Sequence, residues 1–219
     1  MRRVKPVAFS AALFAKDLEA EEETRAIVVL PFENLSPDPD NAFFEAGLHE
    51  EVLHQLARIQ DLRVTSRKSV LQYADQDIGI PEIADELNVE SVMEGSARFS
   101  GDEVRIKAQL IDGETDEHLW AEIYDRELTA ENLFKIQSEV SQAIAKALQA
   151  TLSPDEAKRI NALPTTSLEA YEAYLRGRQR WEVRTADSTA QAVELFLSAV
   201  DLDPGFAEAW AGLGDAYRH

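Results

Sequence analysis

The sequence predicts an α/β domain that gives way to an all-α segment, and three observations carry that expectation. A continuous apolar run at residues 26–32 leads into a stretch with apolar residues at helical spacing. Between residues 89 and 124 the period switches to two, with a glycine in each intervening turn. Beyond residue 167 every apolar pattern is helical. A chain of 219 residues has room for two domains of ordinary size. The expected division is a disordered lead-in over 1–25, an α/β domain over 26–163 and a helical region over 167–219, with the boundary near Leu163-Pro-Thr-Thr-Ser167.

In the lead-in, Arg2, Arg3 and Lys5 precede the apolar stretch Val7–Ala15. That order is a weak export signal. The stretch is short, is interrupted by Ser10, and places Leu13 and Phe14 where a cleavage site needs small residues, so an uncleaved start is expected. The following run of Asp17, Glu19, Glu21, Glu22 and Glu23 reads as a solvated acidic segment. Ala26–Phe32, closed by Pro31, reads as a strand buried on both faces. Residues 33–41 are a turn-rich loop in which Asp40 or Asn41 can cap the next helix. That helix carries Phe44, Leu48, Val52 and Leu56 at a spacing of four, widened by Leu53 and Ala57, and ends near Ile59.

A short strand over Leu62–Thr65 and a short helix over Pro81–Leu87 come next. The period-two stretches form an antiparallel meander: Val89–Phe99, then Glu103–Leu110 with Val104, Ile106, Ala108 and Leu110 on one face, then His118–Tyr124. Gly101 and Gly113 are expected to take positive φ in its turns. Trp120 and Tyr124 share a strand face toward the packed helix, and His118 is an exposed strand-end residue. Leu133, Ile136, Val140, Ile144 and Leu148 mark a long amphipathic helix, followed by the cap and proline Ser153-Pro154.

Composition narrows the function. Forty-one acidic against 22 basic residues give a net charge of −19, which opposes binding to a phosphate backbone, so no nucleic-acid partner is expected. No stretch of about 20 apolar residues is present to span a membrane. The absence of cysteine removes disulfides and thiolate chemistry. His49 and His54 lie five apart, about 140° round a helix, where a zinc-protease helix needs four, so a solvated helix face is expected. Asp38, Asp40 and Glu45 lack the glycine and the distal glutamate of a calcium loop. There is no P-loop, and Ser66 and Ser69 lie outside any nucleophile-elbow sequence. Neither catalytic residues nor a cofactor or metal are therefore expected. If the domain binds a small ligand, the place is the carboxyl ends of the strands that feed helices, at Glu33, Asn34, Ser66 and Arg67.

The helical region carries the pattern of tetratricopeptide repeats. Ala192, Phe196 and Pro204 fill the closing places of one repeat, with Ala199 as a second small residue at the helix contact. Trp210, Leu213, Gly214 and Tyr217 fill the opening places of the next. The first repeat's turn, counted from Gly177 to Ala192, exceeds the consensus by about three residues and includes Arg178, Arg180 and Arg184, expected to be solvated at a helix end. Helix pairs of this kind stack and bind a protein or peptide. The gene is expected to continue past His219 with further repeats, and the isolated chain to self-associate weakly through the Trp210–Tyr217 end.

The run Val28–Ser36, Gly-Leu-His-Glu-Glu-Val-Leu at 47–53, Glu94–Arg98, and Ala108–Thr115 with His118-Leu-Trp120 resemble the TolB amino-terminal-like domain over about residues 27–150. The resemblance implies a mixed sheet with helices packed on it and attaches no catalytic set. It also implies a bacterial architecture in which this domain stands between a signalling module, such as an adenylate cyclase or winged-helix regulator, and tetratricopeptide repeats. The reading is a non-enzymatic signalling or scaffold protein; the alternative is the sensory part of a cyclase or regulator with its output domain upstream. A cytoplasmic location is expected, or a periplasmic one if the amino terminus exports the chain or an anchor lies upstream.

Overall fold

The computed structural model describes residues 24–38, 41–74, 76 and 78–218. Most of the lead-in, including both its apolar and its acidic stretch, lies outside these residues, as does Asp40. A mixed sheet forms the centre, built on β1 (Arg25–Val29). β1 pairs in parallel with β3 (Leu62–Val64) on one side and β4 (Ser91–Ser100) on the other. The short β2 (Glu33–Asn34) continues alongside β4 at Ser96 and Ala97. β5 (Glu103–Asp112) and β6 (His118–Glu127) extend the sheet antiparallel, giving the order β3-β1-β4-β5-β6.

After Arg25, β1 is apolar because both its faces are covered. Ile27 and Val29 enter a large core, while Ala26 and Val28 enter a smaller one with Val70, Tyr73, Ile83 and Ala84. The strand stops at Val29, short of the expected Phe32, ahead of a proline that has no N–H to donate. α1 (Ala42–Leu56) buries Phe44, Leu48, Val52, Leu53 and Leu56 as the spacing predicts. Ala57, expected in the same stripe, is exposed. Phe43 and Gly47 are also buried, under Arg176 and Leu175 of a later helix, and His49 is buried against the end of β1. Asn41 stands at the cap position but its side chain caps nothing.

α2 (Arg67–Val70) and the 3-10 turn Leu71–Tyr73 have no counterpart in the sequence reading, being too short to show a period. α3 (Ile80–Leu87) begins with Pro81 in its first turn and closes on Asn88 in the left-handed region, φ 50°. In the meander, Gly101 has φ 59° as expected, but Gly113 does not have positive φ; Asp116 does, at 60°. Gly113 is required by a close approach instead: a Cβ there would lie 2.6 Å from the Ala84 Cβ.

α4 (Ala130–Ala147), capped by Thr129, lays its apolar stripe on the sheet beside α1. α5 (Pro154–Ile160) opens with a reciprocal capping box between Ser153 and Glu156. α6 (Leu168–Glu182), α7 (Ala186–Leu202) and α8 (Ala207–Tyr217) complete the chain. The main core does not stop at residues 163–167: Tyr171, Leu175, Val200, Phe206 and Ala209 belong to the same buried cluster as Ile27 and Met93. Each such aliphatic or aromatic side chain withdrawn from water contributes about 1.5–3 kcal/mol.

Candidate functional site

β1 lies between β3 and β4, so the chain leaves it to one side through α1 and returns to its other side after α3. Open sheets bind ligands at such a switch, beyond the carboxyl ends of the strands. A cleft of about 610 Å³ occupies this place. Pro31, Phe32, Ile78 and Ile83 supply apolar wall; Glu33, Asn34, Glu45, Tyr73, Glu94, Lys107 and Gln109 supply polar groups.

Of the four residues the sequence singles out, Glu33 and Asn34 line this cleft, and Ser66 and Arg67 do not. Asn34 is engaged locally, its Oδ1 accepting from Ser36 N–H at 2.9 Å. The Ser66 hydroxyl is 3.1 Å from that of Ser69. Arg67 turns to Glu182 on α6, Nη1 to Oε1 2.6 Å, a partner 115 positions away that spacing alone does not reveal. The sequence does not reveal that Glu45, Tyr73, Glu94, Lys107 and Gln109 meet at this cleft. The Gln109 amide donates to Glu94, its register partner across β4 and β5, and the Tyr73 hydroxyl donates to Glu86 at 2.7 Å.

Burial is the dominant electrostatic influence here. It pushes the Glu45 carboxyl up to about 7, with Arg67 opposing. It holds His49 below its ordinary value. That histidine is not on a solvated face: it is buried, with Nε2 donating to the Val29 carbonyl at 3.0 Å, and so ties α1 to the end of β1. Among the described residues no three His, Asp or Glu side chains come together as a metal site. The cleft offers acceptors, one ammonium and an apolar wall, an arrangement suited to holding a polar ligand.

The second candidate surface is helical. Phe196 is fully buried, and Cβ atoms added at Gly177 on α6 or Gly212 on α8 would each lie 2.8 Å from its ring. Gly212 therefore makes the close contact, whereas Gly214 has open space about its Cβ position. Ala192, Leu213 and Ala216 close this small core, and Ala199 sits in the main one. Pro204 follows α7 and its carbonyl accepts from the Trp210 indole N–H at 3.1 Å. Trp210 and Tyr217 point outward, 52% and 66% exposed.

Arg178 is not solvated at a helix end. It forms an ion pair with Glu50 of α1, both side chains 27% exposed. Beside it, a Cβ on Gly47 would lie 2.5 Å from the Leu175 Cδ2, so α1 and α6 approach as closely as a glycine allows. Arg184 stacks over Trp181, 3.6 Å from the ring centroid.

No family model matches the chain. Over 188 residues it is 38% identical to a Rhizobium meliloti protein called putative adenylate cyclase 3, covering 86% of this chain and 32% of that one. The chain thus spans about a third of the length of this relative. Among solved structures it is similar to TolB from Acinetobacter baumannii, 20% identical over 57% of this chain and 28% of that one, with a TM-score of 0.43. It is also similar to the carboxy-terminal domain of LpoB from Salmonella enterica, 16% identical over 50% and 87% of the two chains, with a TM-score of 0.39. No helix of the described residues is long and apolar enough to cross a membrane.

Proposed function

We propose that this chain is a non-enzymatic regulatory segment of a bacterial signalling protein: an α/β module joined to tetratricopeptide repeats that bind a protein or peptide. The observation that carries the reading is the placement of Phe196 between two helices that approach at glycines, with Trp210 and Tyr217 left outward on the next helix. A stack of helix pairs needs such wedges inside and a receptive surface outside. In this reading the α/β domain covers the first repeat helix and fixes its orientation through the Gly47–Leu175 contact and the Glu50–Arg178 pair.

The alternative, that the segment serves an adenylate cyclase, is favoured by the name of the relative and by the third of that protein which the match spans. The two readings share a test. The purified chain is incubated with ATP and Mg²⁺ or Mn²⁺, and then a hybrid is assayed in which it replaces the matching stretch of the Rhizobium meliloti protein. No cyclic AMP from the chain alone is expected. A hybrid with cyclase output changed by Trp210→Ala and Tyr217→Ala selects the alternative; cyclic AMP formed by the chain itself overturns the non-enzymatic reading. A cytoplasmic location goes with either form, and protease access in intact spheroplasts distinguishes it from a periplasmic one.

A further inference from the structure

β6 is the long open margin of the sheet. It pairs only with β5, and among the described residues no backbone–backbone hydrogen bond engages its outer side between residues 118 and 126, where the Asp125 carbonyl accepts only from its neighbouring Arg126 side chain at 3.1 Å. Natural sheets guard an edge with short strands, prolines, bulges or charged side chains, lysine above all, and β6 does carry Glu122, Asp125, Arg126 and Glu127. The opposite margin, β3, has three residues, whereas β6 has ten and contains neither proline nor lysine. Its one irregularity is at the start, where Leu110 faces Trp120 and Ile111 faces His118, leaving Leu119 as a bulge. From Trp120 onward the ladder is regular. On the face away from α4, Ala121 is exposed and Ile123 is 58% exposed. Two of the edge's charges are already matched within the chain: Asp125 accepts from Arg105 at 2.5 and 2.9 Å, and Arg126 lies 3.5 Å from Glu139.

We propose that this edge pairs with β6 of a second copy, antiparallel, about a two-fold axis at Ile123. A two-fold normal to the sheet keeps matching faces together, and directly opposed residues in an antiparallel pair share a face. With the axis at Ile123 the regular stretch Trp120–Arg126 pairs with itself. Ile123 then meets Ile123, and Trp120 meets Arg126, a cation–π combination. An axis at Glu122 opposes two like charges, and one at Tyr124 sets Ile123 against Asp125. An axis at Ala121 requires Leu119 in a regular ladder position, which the bulge denies it. A second copy is the occupant because the exposed apolar residue lies at the centre of a segment that complements itself. The net charge of −19 works against assembly, so the dimer is weak and tightens with salt.

The chain lacks cysteine, which makes the register directly readable. Sedimentation equilibrium of the whole chain, at low and high salt, is expected to show a monomer–dimer equilibrium weakened at least tenfold by Ile123→Lys. Mild oxidation of Ile123→Cys is expected to give a disulfide dimer. Ala121→Cys is expected to stay monomeric, since its two copies would lie four residues apart along the strands, about 13 Å. Ile123→Lys should leave the thermal midpoint nearly unchanged, showing that the fold survives. A strictly monomeric parent, a cross-link at Ala121 in place of Ile123, or a dimer lost on Trp210→Ala and kept in Ile123→Lys would each overturn the proposal. So would slow amide exchange along β6 at concentrations where the chain is monomeric, which would place another segment of the same chain on the edge.

Discussion

Two helices bring aromatic residues to their surfaces with opposite outcomes. On α6, Tyr171 is buried with its ring 4.7 Å from that of Phe134, and Tyr174 meets Phe206 edge-on at 5.0 Å. On α8, Trp210 and Tyr217 remain largely exposed although Ala209, Leu213 and Ala216 beside them are buried. Both helices pack on α7; what differs is that α1 and α4 of the α/β domain cover α6. The aromatic pattern alone therefore does not decide burial. The neighbour does, and for α6 that neighbour is the α/β domain.

The largest loss is expected at the wedge both helices share. Phe196→Ala removes a fully buried ring touching the Gly177 and Gly212 positions, and is expected to destabilise the helical segment by about 3–5 kcal/mol in chemical denaturation. An unchanged unfolding midpoint would remove the basis for pairing α6 with α8. Next in size is the seam. Gly47→Val forces a side chain against Leu175 and is expected to cost about 1–3 kcal/mol, partly recovered when Leu175→Ala is added. Additive losses in the double variant would show that the two positions are not in contact.

These two sites also show how far the sequence was legible. The burial of Ala192 and Phe196, four apart on α7, and of Leu213 on α8 was legible from helical spacing. That Gly212 and not Gly214 meets the Phe196 ring does not show in that spacing. The period-two meander was legible because one of its faces is wet, and the continuous run of β1 because both of its faces are dry. The seam was not legible. Glu50 and Arg178 are 128 residues apart, and each alone reads as a solvated charge on a helix. The cleft was half legible: Glu33 and Asn34 follow a strand end, whereas Glu45 reaches it from α1 and Lys107 and Gln109 from β5.

Removing one charge from the seam has a smaller effect. Glu50→Gln leaves Arg178 half-buried without its carboxylate and is expected to cost about 1–2 kcal/mol, read from denaturation midpoints. A variant as stable as the parent would make the pair ornamental.

The cleft responds to pH rather than to packing. Glu45 holds its proton up to about pH 7 in the folded chain and to 4.5 when unfolded, so the folded state binds more protons between those values. Its contribution is intact below pH 4.5 and is lost as pH rises through 7. Glu45→Gln is thus expected to be more stable than the parent at pH 8 and equal to it near pH 4.5. His49, lowered by burial, has the opposite sign: its contribution is present above pH 6.5 and lost as pH falls. Thermal melts of the parent, Glu45→Gln and His49→Gln across pH 4–8 separate the two, and a Glu45→Gln difference that does not vary with pH would refute the burial of that carboxyl.

The smallest effect is expected at the open end of the comparison. Trp210→Ala should change stability by no more than about 1 kcal/mol, because more than half of the side chain is already in water. A loss as large as that of Phe196→Ala would mean that the α8 surface is covered, contrary to its exposure.

The α/β domain and α6–α8 share one core, so they are expected to unfold together. The chain has three tryptophans, and two of them report on the two parts: Trp120 on β6 and Trp181 on α6. Variants retaining only Trp120 or only Trp181, with the others changed to Phe, can be unfolded in urea and followed by fluorescence. The shared core predicts coincident transitions with one midpoint once each variant's overall stability, measured by circular dichroism, is taken into account. Two separated transitions, with Trp181 unfolding while Trp120 still reports a native sheet, would contradict it.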